Sequence, residues 1–230
     1  LNSASFTNSG GTATFQEGAV LNGTTFSQTS SSSALTTFQA GSTLNSTSAS
    51  FNAGTANFEA GSTIGSTHFT VTGDGTNNAT VNFNGTGTHS LTNLNLQTYG
   101  NIKGSSNLDV NGLFTWSGGY LYGVDGQQTV NAKGGMLLSD STKYMYNRTI
   151  VNAAGQTANW SAGTVYMYNT SKFVNQGNFD ITGNNTMSKQ SGTATFENYG
   201  TLTKKTGTST SSLTNVDFLN AQNAQMNIET

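Results

Sequence analysis

An apolar or acidic residue followed by asparagine returns six times down the second half of this chain, and the regularity of that return constrains the fold most. The copies are Val110-Asn111, Val130-Asn131, Val151-Asn152, Val174-Asn175, Glu197-Asn198 and Leu219-Asn220. Their asparagines are spaced 20, 21, 23, 23 and 22 residues apart. Glycine follows closely at Gly112, Gly134, Gly155, Gly177 and Gly200. A step of this length marks stacked repeats, each burying its apolar side only against its neighbours.

Other markers keep the same step. Trp116-Ser117-Gly118-Gly119 returns two units later as Trp160-Ser161-Ala162-Gly163. Tyr-x-Tyr occurs at residues 120–122, 144–146 and 166–168. The first half carries a related unit built on phenylalanine: Phe15 to Gly18, Phe38 to Gly41 and Phe58 to Gly61, followed by Leu21, Leu44 and Ile64. The phase is looser there, and residues Ser27 to Ala34 are expected to form a bulging loop. Within units the pattern alternates, as in Thr70-Val71-Thr72 and Leu94-Asn95-Leu96, which predicts short strands with one buried face. No segment shows helical periodicity. The expected fold is therefore all-β: a single-stranded parallel β-helix, or β-solenoid, of roughly ten coils of about 22 residues. It is expected to be one array over 1–230, Phe-type coils over 1–95 and Asn-ladder coils over 96–230. Right-handed winding is the expected hand, as for parallel crossovers generally.

Composition fits this architecture. Charged residues are only 8% of the chain, against about 25% in average soluble domains. In a parallel coil stack each side chain sits over its counterpart about 4.8 Å away, where like charges repel. Proline, absent here, would remove a ladder donor. Asparagine suits the turns, and its amide can bond a stacked asparagine, so Asn111, Asn131, Asn152, Asn175, Asn198 and Asn220 are expected to form a structural ladder. A net charge of −2 and a single arginine, Arg148, offer no footprint for nucleic acid. No apolar run approaches the roughly 20 residues of a spanning helix, and turn residues interrupt the strands too often for a spanning barrel, so membrane insertion is not expected. There are no cysteines. The chain starts at Leu1 without a visible signal peptide, as expected of a processed protein or a segment of a longer one.

The Asn-x-x-Gly turns, the Trp-Ser-Gly-Gly unit and the Gly-Thr-x-Thr-Phe unit (residues 11–15 and 192–196) are similar to the β-helical stalk and passenger regions of large bacterial surface proteins, the filamentous-haemagglutinin-like and autotransporter adhesins. The resemblance implies a secreted, extracellular surface structure and names no ligand. Repeat units run almost from one end to the other. The expected partners are therefore further coils, from a longer chain or from a second copy stacked end to end.

Several side-chain sets carry groups capable of chemistry. Alternation places Leu121, Met145 and Met167 inward and Tyr120, Tyr144, Tyr166 and Tyr122, Tyr146, Tyr168 in two outward columns. These six residues could bind a glycan or a host surface as an aromatic platform, or could simply stack on one another. Trp116 and Trp160 fit packing near a corner better than a binding surface. The ten acids form no close pair in sequence, so catalytic residues are not expected and the chain is not expected to be an enzyme. Glu17 and Glu59 occupy similar turn positions. His68 and His89 could stack on adjacent coils, but two ligands make a poor metal site, and no metal or cofactor is expected. Gly73 to Asn78 is explained by a tight turn as well as by calcium. Thr-x-Thr pairs at 12–14, 70–72, 193–195 and 201–203 do not recur in every coil, which weakens an ice-binding reading.

Overall fold

The structure, a computed structural model, describes residues 1–29, 32–207 and 209–229. Among these residues there is no helix, and every strand pairing is parallel. The strands form three sheets of 12, 10 and 7 strands, here called A, B and C. Sheet B receives one strand from each coil, so the solenoid has ten turns, a rise of about 45–50 Å at the usual strand spacing. Of the stretch expected to bulge, Ser27 and Gln28 end a strand of sheet A (Val20–Gln28), Ala34 is buried, and residues 30 and 31 lie outside the described residues.

The two kinds of coil differ in cross-section. The first coils turn sheet A with long strands, Val20–Gln28 and Thr43–Phe51. Later coils break that run at a corner, and sheet C begins as a separate wall at Thr88–Leu91. Left-handed residues sit where the chain changes direction without room for a side-chain-directed turn. Asn147 and Asn169 hold φ of 47° and 56° between sheets B and C, a conformation asparagine tolerates better than most residues. Gly104 has φ 110°, and a Cβ there would run into the Phe83 carbonyl, so only glycine fits.

The interior is built of columns that climb from coil to coil. On sheet B, Phe15, Phe38, Phe58 and Phe83 stack with ring centroids 4.7, 4.7 and 5.5 Å apart. Beside them Val81, Ile102, Leu121, Met145 and Met167 are in register and fully buried. On sheet C the inward column reads His89, Leu108, Val130, Ile150, Phe173, Phe196 and Phe218. Trp116 and Trp160 belong to the inward column of sheet A with Leu138 between them, both within 1% of full burial, and Trp160 donates to the Gly163 carbonyl at 3.0 Å. They are core residues of a sheet wall. Burying one such aromatic side chain stabilises the fold by about 2–3 kcal/mol.

Register corrects the expected asparagine ladder. Asn152, Asn175, Asn198 and Asn220 are in line, and their amides bond in series at 2.8, 2.8 and 2.7 Å. Asn131 is not in that column. The residue in register with Asn152 is Ala132, so Asn131 lies one position off, on the opposite face, where it donates to Asp109 at 2.7 Å. Asn111 is exposed just beyond its strand, Asn107–Val110. A one-residue mismatch between sequence spacing and pairing register reverses the face of a side chain.

Candidate functional site

The tyrosine face lies on sheet B across three consecutive coils. Strands Gly119–Tyr122, Lys143–Tyr146 and Val165–Tyr168 pair in register, which aligns Tyr120, Tyr144 and Tyr166 in one column and Tyr122, Tyr146 and Tyr168 in the other. All six are half-buried. Leu121, Met145 and Met167 point inward beneath them and hold the wall flat.

Ring geometry shows what the face presents. Tyr120 and Tyr144 stack at 4.5 Å with planes 10° apart, Tyr122 and Tyr146 at 4.8 Å and 19°, and Tyr146 and Tyr168 at 4.2 Å and 8°. Tyr144 and Tyr166 are looser, at 5.7 Å and 45°. The rings therefore turn their faces largely to one another along the coil axis, as stacked aromatics prefer when displaced. A ligand arriving from solvent meets mostly ring edges and hydroxyls. Below the columns, Lys103 places its ammonium 5.0 Å from the Tyr122 ring centre, a cation–π contact that covers the first rung. Burial by neighbouring rings, and then the adjacent Tyr168 phenol, hold the Tyr146 hydroxyl protonated well above the usual phenol range. Burial raises Tyr122 and Tyr144 in the same direction, with Tyr120 the next contributor to both.

Two buried cations flank this face, and sequence reasoning missed the role of both. Lys143 stands inward between Gly119 below and Val165 above, fully buried, and its ammonium donates to the carbonyls of Ser141 and Ala162 at 2.8 and 3.1 Å. Burial pulls its pKa down to about 8, against a small opposing pull from Asp140. Arg148 is also fully buried, at the corner between sheets B and C. It donates to the carbonyls of Tyr122 and Ser106 at 2.8 and 2.6 Å, while its Nε finds no partner. Desolvation lowers its pKa to about 10. Both cations satisfy corner carbonyls that lie outside the ladders. A signal existed for Lys143: it is two positions before the inward Met145, so alternation places it inside.

The remaining sets fall apart in space. His68 is exposed on sheet A, whereas His89 is buried on sheet C against Ser62 and the Glu59 carbonyl, both at 3.4 Å. Corner geometry, not sequence spacing, decides this: Ser48–His68–Asn93 is one column and His89–Leu108 another. Glu59 accepts from Asn84 at 3.0 Å. Asp74 is engaged by its own turn: it accepts from the Asn77 side-chain amide at 3.0 Å and from the Asn77 and Thr76 backbone amides at 2.6 and 2.9 Å, which lowers its pKa. Asp109, Asp180 and Glu197 pair with Lys133, Lys205 and Lys172 at 2.6, 2.8 and 2.6 Å. Among the described residues no three His, Cys, Asp or Glu side chains gather where they could share a metal ion. The Thr-x-Thr pairs divide among walls: 12–14 on sheet B, 193–195 on sheet C, 201–203 on sheet A.

Several clefts open on the surface, two of about 380 and 410 Å³ on sheet A among them. One of about 370 Å³ on sheet C is lined by Thr129, Thr149, Thr170, Thr193 and Thr195 beside Lys172. Another, of about 910 Å³, opens on the core at the last coil between Leu202, Leu213, Val216, Phe218, Met226 and Ile228. No family model, curated protein or solved structure matches this chain.

Proposed function

We propose that the chain is a structural element of an extracellular, bacterial-type surface: a rigid stalk segment or fibre subunit. The observation that carries this reading is the continuous stack of ten coils in register, in which each coil offers the next the same backbone ladder and inward columns. On sheet A those columns run through Leu202 and Lys204 to Met226 and Ile228. A stack of this kind extends by pairing with more coils, supplied by further chain or by a second copy. The mostly polar, weakly charged walls suit a rod that meets solvent along its length. The likeness to surface stalks and passengers supports the extracellular setting. The ring geometry of the tyrosine face supports packing over sugar stacking, so ligand capture is the weaker alternative.

Electron microscopy over a concentration series tests the reading, with the Met226→Lys/Ile228→Lys variant beside the parent chain. The expected result is end-to-end rods whose length grows with concentration and which the double variant abolishes. Short separate rods at every concentration, identical in parent and variant, would refute the fibre subunit, and particles without a rod shape would refute the stalk segment as well.

A further inference from the structure

The tyrosine columns bring together reactive groups that a packing role does not require. Three pairs of phenols from successive coils lie with ring centres 4.2 to 4.8 Å apart and planes within 19°. The ladders hold their backbones in register, and the rings are half-buried, so the phenols keep an exposed edge from which an electron can be drawn while their neighbours stay in place. Two other tyrosines provide an internal contrast: Tyr99 and Tyr199 are 46% and 51% exposed, and neither is stacked on another tyrosine.

We infer that this face is a site of oxidative tyrosine–tyrosine cross-linking, in which adjacent coils become covalently joined through dityrosine. The co-reactant is a one-electron oxidant of the peroxidase class with hydrogen peroxide. Two phenols, Tyr146 and Tyr168 for instance, each lose one electron and one proton from the hydroxyl. The two phenoxyl radicals then form one carbon–carbon bond between ring positions next to oxygen. The protons on those two carbons move to the oxygens as the rings regain aromaticity. Two hydrogen atoms leave in all, and one hydrogen peroxide takes them up to become two waters. The coil register supplies the proximity that a bimolecular encounter would otherwise have to provide. Radical spread along the Tyr122, Tyr146 and Tyr168 column needs no further movement, because each ring there already stacks on the next.

Tryptic fragments separate the possible products cleanly. Tyr144 and Tyr146 fall in 144–148, Tyr166 and Tyr168 in 149–172, and Tyr120 and Tyr122 in 104–133. Tyr99 and Tyr199 fall in 1–103 and 190–204. The intact folded chain, dilute enough to stay monomeric, is treated with a peroxidase and hydrogen peroxide, then digested and weighed. The expected product is a monomer lighter by two hydrogen atoms per cross-link, with fragment 144–148 joined to 149–172 or to 104–133. The Tyr144→Phe/Tyr146→Phe variant, which keeps the rings, loses this product, while Tyr99→Phe/Tyr199→Phe retains it. Joining only through Tyr99 or Tyr199, or tyrosine surviving or being consumed without that joined pair, overturns the assignment.

Discussion

Replacing Asn175 with alanine tests whether the buried amide ladder is a source of stability or only a by-product of stacking. Asn175 is fully buried in the middle of its column. Its oxygen accepts from Asn152 at 2.8 Å, and its nitrogen donates to Asn198 at 2.8 Å and to the Gly177 and Thr201 carbonyls at 3.1 and 3.0 Å. An amide nitrogen has two protons, so these contacts amount to about three full hydrogen bonds, at about 1 kcal/mol each. Truncation also leaves the Asn198 oxygen unpaired in the interior, which costs about 1 kcal/mol more. The expected loss is about 4 kcal/mol. Asn220, the exposed last rung, should lose less than about 1 kcal/mol on the same change, because water replaces its partners. Urea unfolding followed by circular dichroism measures both. Hydrogen exchange at residues 173–177 shows whether the loss is local, as nearest-neighbour coupling in a coil array requires. A cost below about 1 kcal/mol for Asn175→Ala, or equal costs at the two positions, would refute a ladder that strengthens with burial.

Lys143 sets a pH dependence. Its folded pKa of about 8 lies below its ordinary value, so between pH 8 and 10 the unfolded chain binds more protons and stability rises with pH. The gain should be on the order of 2 kcal/mol, and Lys143→Met should flatten it, as read from urea midpoints across that range. Above pH 10 the raised phenols of Tyr122, Tyr144 and Tyr146 oppose the gain, because they stay protonated only in the folded chain, while Arg148, lowered to about 10, adds to it. Phe58→Ala removes the third ring of a stack and should cost about 3–5 kcal/mol by thermal or chemical unfolding. Gly104→Ala should cost more than about 1 kcal/mol, since it combines positive φ with collision against the Phe83 carbonyl. Lys172→Ala breaks a half-exposed pair with Glu197 and should change stability by about 1 kcal/mol or less, with the effect shrinking in high salt.

The repeat step, the strand alternation and the shortage of charge and proline were enough to determine a parallel coil stack, because each is a direct consequence of identical positions lying one strand spacing apart. They also placed Leu121, Met145 and Met167 inside and six tyrosines outside, since alternation within one short strand depends on nothing beyond the strand. What lay beyond them depends on register, and register depends on how many residues each corner consumes. The step from Asn131 to Asn152 is 21 residues while the pairing step there is 20, which moves Asn131 to the opposite face. The same corner lengths put His68 and His89 on different sheets and scatter the threonine pairs over three walls. Ring orientation, too, is a tertiary outcome: with strands at coil spacing, the tyrosines gain more by facing one another than by facing water. The burial of Lys143 and Arg148 is decided last of all, by which corner carbonyls the closed solenoid leaves without a ladder partner.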